Sequence, residues 1–133
     1  MHLIFCVDDR DGLSFCGRRL SQDREVTAHI LSRTADTNLW ILPYSAKLFP
    51  AGSMIADPDY LSKAEMGDYC FVEKGPLPNV WENVESVTLY HWNRAYPSTE
   101  RFPRELLEVM TLEVTEEFPG YSHETITMER FVK

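Results

Sequence analysis

Residues 2–8, His-Leu-Ile-Phe-Cys-Val-Asp, constrain the fold more than any other stretch. In an extended chain Leu3, Phe5 and Val7 share one face and Ile4 and Cys6 the other. A strand apolar on both faces must be covered on both, which places it inside an α/β sheet. Its position at the start of the sequence predicts an N-terminus pinned within that sheet. Asp8, Asp9, Arg10, Gly12, Gly17, Arg18 and Arg19 follow at once. Open α/β sheets bind ligands just beyond the carboxyl ends of their strands, so this loop is the first place to seek a site.

The remaining pattern alternates helices and strands. Ser21 or Asp23 can cap a helix running to about Thr34, with Val26, Ile30 and Leu31 at helical spacing. Residues 38–42 read as a short buried strand, and Pro43 suits the first turn of a short helix reaching Phe49. A turn over 50–53, a small strand at 54–56 and a short helix over 58–65 precede a strand at 68–73. Gly75-Pro76-Leu77-Pro78 breaks the chain, and a helical turn spans 80–83. Residues 86–93 form the best strand after the first. The segments 109–116 and 125–132 alternate around Phe118-Pro-Gly-Tyr-Ser122 and read as an antiparallel hairpin. The class is α/β: a mainly parallel sheet of 2–8, 38–42, 68–73 and 86–93, completed by that hairpin, in a single domain over 1–133.

A net charge of -8 argues against general binding to nucleic-acid phosphates or anionic membranes, leaving room only for a local basic pocket. No apolar run approaches the roughly 18 residues of a membrane span, and the first residues do not read as a signal peptide. Cys6, Cys16 and Cys70 make no C-x-x-C pair, and an odd count without a framework points to a reducing, cytoplasmic setting. Cys6 and Cys70 read as core residues. Cys16, in a loop beside Arg18, reads as an ordinary loop residue with a reactive thiol as the alternative.

Read together, these residues resemble dihydrofolate reductase. Leu3-Ile-Phe-Cys-Val-Asp8 through Gly12-Leu13 and Gly17 resemble the family's opening strand and loop. Val87-Thr-Leu-Tyr-His-Trp92 with Phe102-Pro103 resemble its late strand and D-T-x-F-P signature, and Ile126-Thr-Met-Glu-Arg130 its last strand. The resemblance implies a three-layer dihydrofolate reductase-like fold. It also identifies departures. Ser21-Gln22 stand in place of Pro-Trp, Thr27 stands where the helix acid belongs, with Asp23 and Glu25 close by, and Tyr90 replaces a threonine. Glu73-Lys74-Gly75-Pro76 replace the Gly-Gly turn that would cradle a pyrophosphate on bare amides. Residues 49–68 are also too few for a complete nucleotide-binding unit. The expectation is a shortened relative that keeps the frame and has no reductase activity and no cofactor.

His2, His29, His91 and His123 never pair at ligand spacing, so no metal is expected. Ser45 lacks a G-x-S-x-G elbow and reads as a helix residue, and His123 reads as a polar residue of the hairpin turn. The densest polar cluster is Gly17-Arg18-Arg19 with Gln22, Asp23 and Arg24. It reads either as a clamp for a carboxylate or phosphate, or as a solvated loop with Asp23 capping. Asp8 and Asp9 either act as a paired acid and base or shape the turn. The frame predicts that Asp8, Arg18, Arg19, Tyr44 and Ser45 line a cleft, with Gln22 and Asp23 beside it and Tyr90 and Trp92 as walls. The expected partner is a small anionic or nucleotide- or pterin-like molecule, not nucleic acid or a membrane. The alternative is a small hydrolase acting on a phosphate ester or nucleic acid through the loop after the first strand.

Overall fold

In the computed structural model the described residues are 1–75, 77 and 81–133. Strand β1, His2–Val7, lies in the middle of a seven-stranded sheet. Leu3, Phe5 and Val7 are fully buried on one face of it and Ile4 is buried on the other. The continuous apolar run therefore does what its composition requires. Short strands follow at β2 (Gly12–Phe15) and β3 (Arg18–Arg19), then helix α1 (Arg24–Arg33) and β4 (Leu39–Ile41). A 3-10 helix over Pro43–Leu48 leads to β5 (Ile55–Ala56), α2 (Tyr60–Lys63) and β6 (Tyr69–Phe71). A 3-10 turn at Trp81–Asn83 precedes β7 (Ser86–His91) and β8 (Glu100–Arg101). A third 3-10 segment, Arg104–Val109, enters the final hairpin of β9 (Thr111–Pro119) and β10 (Thr125–Val132).

The large sheet has the order β5-β4-β6-β1-β7-β10-β9. Neighbours from β5 through β7 are parallel, and β10 runs antiparallel to both β7 and β9. On one face Val26 and Ile30 of α1 pack with Ile41, Phe71, Tyr90, Ile126 and Met128. On the other, Leu3, Phe5 and Val7 meet Leu13, Tyr60, Val87, Leu89, Phe102 and Leu107. A ten-residue helix is marginal alone, so packing of Val26 and Ile30 together with the Asp23 cap holds α1 in place.

The sheet expected at 2–8, 38–42, 68–73 and 86–93 is present with each strand shorter by one to three residues. At the end of β7 the reason is local: Asn93 turns the chain with φ 57. The hairpin begins at Thr111 rather than Val109, because the residues after Pro103 wind into the 3-10 segment. It also runs on to Pro119, so the turn, residues 120–124, sits two residues further along the chain than the Phe118–Ser122 joint expected. A second sheet, order β3-β2-β8, was not expected. Its β2–β3 hairpin turns at Cys16 and Gly17, both at positive φ (49 and 76), the geometry that twists correctly into a two-residue hairpin. Within the expected break at 75–78 and helical turn at 80–83, residues 76, 78 and 80 lie outside the described residues.

Cys70 is buried and Cys6 half-buried, while Cys16 is exposed at its turn. Burial pushes the Cys70 thiol up to about 12, and burial together with the Glu73 carboxylate raises Cys6 as well. Neither supplies a thiolate nucleophile at neutral pH.

Candidate functional site

Asp23 is the N-cap of α1, and its Oδ1 accepts from the Glu25 amide at 2.9 Å. The same carboxylate gathers the hairpin turn. It accepts from the amides of Tyr121 (2.9 Å), Ser122 (2.9 Å) and His123 (3.1 Å), and from the His123 ring at Nδ1 (2.9 Å). Asp23 and His123 are both buried. Burial alone would raise the Asp23 carboxyl, but the turn amides and the imidazole outweigh it and hold the group well below the usual carboxylate range. The indole of Trp92 stacks on the His123 ring at 4.7 Å between centroids. The far nitrogen, Nε2, lies 3.1 Å from the Ser21 hydroxyl and 3.0 Å from that of Tyr96.

A second polar cluster lies where β6 ends. Glu73 is 7% exposed, and its carboxylate takes Arg19 Nε at 2.8 Å, Arg19 Nη2 at 2.9 Å and the Ser45 hydroxyl at 2.7 Å. Planar guanidinium and carboxylate match two bonds at once, which fixes the Arg19 side chain. The Arg19 amide donates to the Tyr44 hydroxyl, and its guanidinium lies 4.5 Å from the centre of the Tyr44 ring. Lys74 sits over the same ring at 4.0 Å.

Between the two clusters is an open depression lined by Arg19, Ser21, Gln22, Lys47 and Ser122. Ser21 is part of that lining, and Arg19 and Lys47 bring positive charge to a chain of net charge -8.

The structure divides the expected cleft residues. Arg19, Tyr44 and Ser45 come together at Glu73, while Asp23 and Trp92 meet at His123 and the exposed Gln22 offers its main-chain carbonyl to the Ser122 hydroxyl. Asp8 stands apart: it is buried and accepts from the amides of Arg10 (2.8 Å), Gly12 (2.7 Å) and Tyr96 (2.9 Å). Burial pushes its carboxyl up, but those amides win and lower it, so Asp8 shapes the turn, and Asp9 beside it is exposed. Arg18 is exposed on β3. Tyr90 is buried in the core, with its hydroxyl 2.7 Å from His29 Nδ1. Sequence reasoning missed Ser21, Lys47, Glu73 and His123. The available signal was Ser21-x-Asp23, a spacing that places two polar side chains on one side of an extended chain.

A larger cavity of about 800 Å³ lies on the face opposite α1, lined by residues including Met1, Leu42, Tyr60, Leu61, Ala64 and Leu77 with Glu65, Glu82 and Glu85. Its lining mixes apolar side chains with acidic ones and with Ser62 and Asn83. Among the described residues no group of three His, Cys, Asp or Glu could hold a metal ion, and no helix is long and apolar enough to cross a membrane.

No protein-family model matches the chain, and no curated protein matches it significantly. Solved structures do. Dihydrofolate reductase from Enterococcus faecalis, complexed with NADP(H) and RAB-propyl, superposes with a TM-score of 0.67 over 98% of this chain and 94% of that one, at 9% identity. The fold is therefore dihydrofolate reductase-like, as the resemblance of the sequence implied.

Proposed function

We propose that this chain, on a dihydrofolate reductase-like frame, binds a small molecule carrying an anionic group and does not transfer hydride. The observation that carries the reading is the depression between the 3-10 helix at Pro43–Leu48 and the β9–β10 turn, where Arg19 and Lys47 face the same space. Lys47 has no carboxylate within ion-pair distance among the described residues, so its charge is available to a ligand. A phosphate or carboxylate seated there gains a charged hydrogen bond from Lys47 and further attraction from Arg19.

Dinucleotide chemistry has little support in this site. A pyrophosphate needs uncovered amides and no opposing charge. At the end of β6, where the family resemblance would place a Gly-Gly turn, stands the buried carboxylate of Glu73, held by Arg19 and Ser45. Hydride transfer further needs the nicotinamide fixed against its acceptor, and nothing at Glu73 would anchor that half. The alternative of a phosphate-ester hydrolase working through Asp8 is weakened because both Asp8 oxygens already accept main-chain amides.

The test is a thermal-shift screen followed by calorimetry, with inorganic phosphate, small carboxylates, nucleotides and pterins as probes. A bound anion raises the melting temperature progressively with concentration. That rise is expected to shrink in Lys47→Ala. Tight NADPH binding, or oxidation of NADPH by dihydrofolate, would overturn the reading, as would a phosphate response unchanged by Lys47→Ala.

A further inference from the structure

Ser21, His123 and Asp23 stand in the order of a nucleophile, its general base and the carboxylate that orients the base. Ser21 Oγ is 3.1 Å from His123 Nε2, and His123 Nδ1 is 2.9 Å from Asp23 Oδ2. The chain builds this cheaply. Asp23 has extended backbone (φ -153, ψ 125), and Ser21 precedes it by two residues. In an extended segment, positions two apart project to one side about 6–7 Å from each other. An imidazole with one hydrogen bond at each nitrogen spans that gap. The hairpin turn delivers the imidazole from the far end of the sequence, and Trp92 stacks on it.

The protonation pattern follows from the partners. Asp23 accepts only, so in the neutral imidazole Nδ1 carries the proton and Nε2 is the acceptor. Two hydroxyls, Ser21 and Tyr96, face Nε2, and of these Ser21 lines the depression with Arg19 and Lys47. A purely mechanical tie between α1 and the hairpin is already made by the amides of Tyr121, Ser122 and His123 on Asp23. It has no need of a histidine whose second nitrogen meets a serine that lines a depression with Arg19 and Lys47.

We infer that Ser21 is a nucleophile, with His123 as its general base and Asp23 as the orienting carboxylate, acting on small carboxylic esters that carry an anionic group. The inference rests on the anion-binding reading for its substrate class. Ser21 Oγ bonds to the ester carbonyl carbon as its proton passes to His123 Nε2. The carbon–oxygen bond to the alcohol then breaks, and the departing oxygen takes the proton from Nε2. Water attacks the acyl-serine, giving one proton to Nε2, which returns it to Ser21 Oγ as the acid leaves. The sum is ester plus water to acid plus alcohol. Lys47 and Arg19 supply the positive charge for the anionic group.

The experiment is labelling of the folded full-length chain with a small fluorophosphonate, read by intact mass and peptide mapping, alongside the phosphate-dependent thermal shift of the same samples. A single adduct on the Ser21 peptide is expected, absent from Ser21→Ala and from urea-unfolded protein. Ser21→Ala should keep its fold, because Asp23 and its amide partners are untouched. A folded wild-type chain that takes no label, or a label that persists in Ser21→Ala, overturns the nucleophile while leaving the anion site standing. Labelling of Ser21 without any phosphate shift would keep the nucleophile and overturn the anionic substrate class.

Discussion

Arg19 and Glu73 close a two-point ion pair, Nε to Oε2 at 2.8 Å and Nη2 to Oε1 at 2.9 Å, between side chains 13% and 6% exposed. The pair ties β3 of the small sheet to the end of β6 in the large one. It also decides what the arginine can do: a guanidinium engaged on two sides offers a ligand less than a free one.

Glu73→Gln is expected to destabilise the protein by about 1.5–3 kcal/mol, because a charged, largely buried hydrogen-bond set loses its acceptor charge while Arg19 stays in place. Urea denaturation measures the loss. The same variant frees positive charge beside Lys47, so calorimetry with inorganic phosphate should show tighter binding than wild type. Unchanged stability together with weaker phosphate binding would contradict both the pair's role and the position of the anion site.

Arg19→Ala should lower the melting temperature as well, since it leaves the buried Glu73 carboxylate without its cation. Arg18→Ala should leave stability within about 0.5 kcal/mol, as for other exposed surface positions. The sequence cluster Arg18-Arg19 thus splits into one structural and one solvated residue, and separate thermal melts of the two variants report the difference.

Asp23 gives the protein an acid limit. Its folded carboxyl lies below the unfolded value of about 3.9, so the stabilisation is complete above that value and is lost as pH falls through the folded one. Stability should therefore decline below about pH 4. Asp23→Asn removes the charged acceptor of several amides and the His123 ring, and at neutral pH should cost at least about 2 kcal/mol. It should also flatten the acid decline in a series of urea melts. A variant as stable as wild type, with the same acid slope, would show that the tie between α1 and the hairpin contributes nothing.

The frame was legible because its signals are local and redundant. Leu3 through Val7 are apolar on both faces, Val26 and Ile30 repeat at helical spacing, and Ile126 and Met128 alternate against polar neighbours. The small sheet was not legible, because strands of two to four residues such as Arg18–Arg19 carry no periodicity to read. The site was legible only in fragments. Arg19, Tyr44, Ser45, Gln22 and Asp23 were named from their chemistry, but the residues that complete each cluster, Glu73 and His123, come from distant turns. In the sequence Glu73 stands out only as a replacement for a Gly-Gly turn; that it anchors Arg19 and Ser45 depends on a fold-level approach no spacing reveals. Tyr90 reads as a pocket wall because alternation along β7 does not say which layer covers a given face. The α1 helix covers it, and its hydroxyl is satisfied by His29.

The hairpin is expected to be indispensable, because β10 pairs along one edge of β7 and contributes Ile126 and Met128, both fully buried, to the α1 face. Ending the chain after Met110 would turn β7, from Val87 to Tyr90, into an apolar edge with unpaired main-chain groups, a template for association with other chains. It would also remove Asp23's turn partners and so loosen α1. The truncated chain should be insoluble or aggregated by size-exclusion chromatography. Met128→Ala keeps the hairpin and isolates the packing part; its cavity should cost about 2–5 kcal/mol with β9 and β10 still paired. A soluble truncated monomer with a cooperative melt, or a Met128→Ala protein as stable as wild type, would mean that β10 is an appendage to the sheet rather than part of its core.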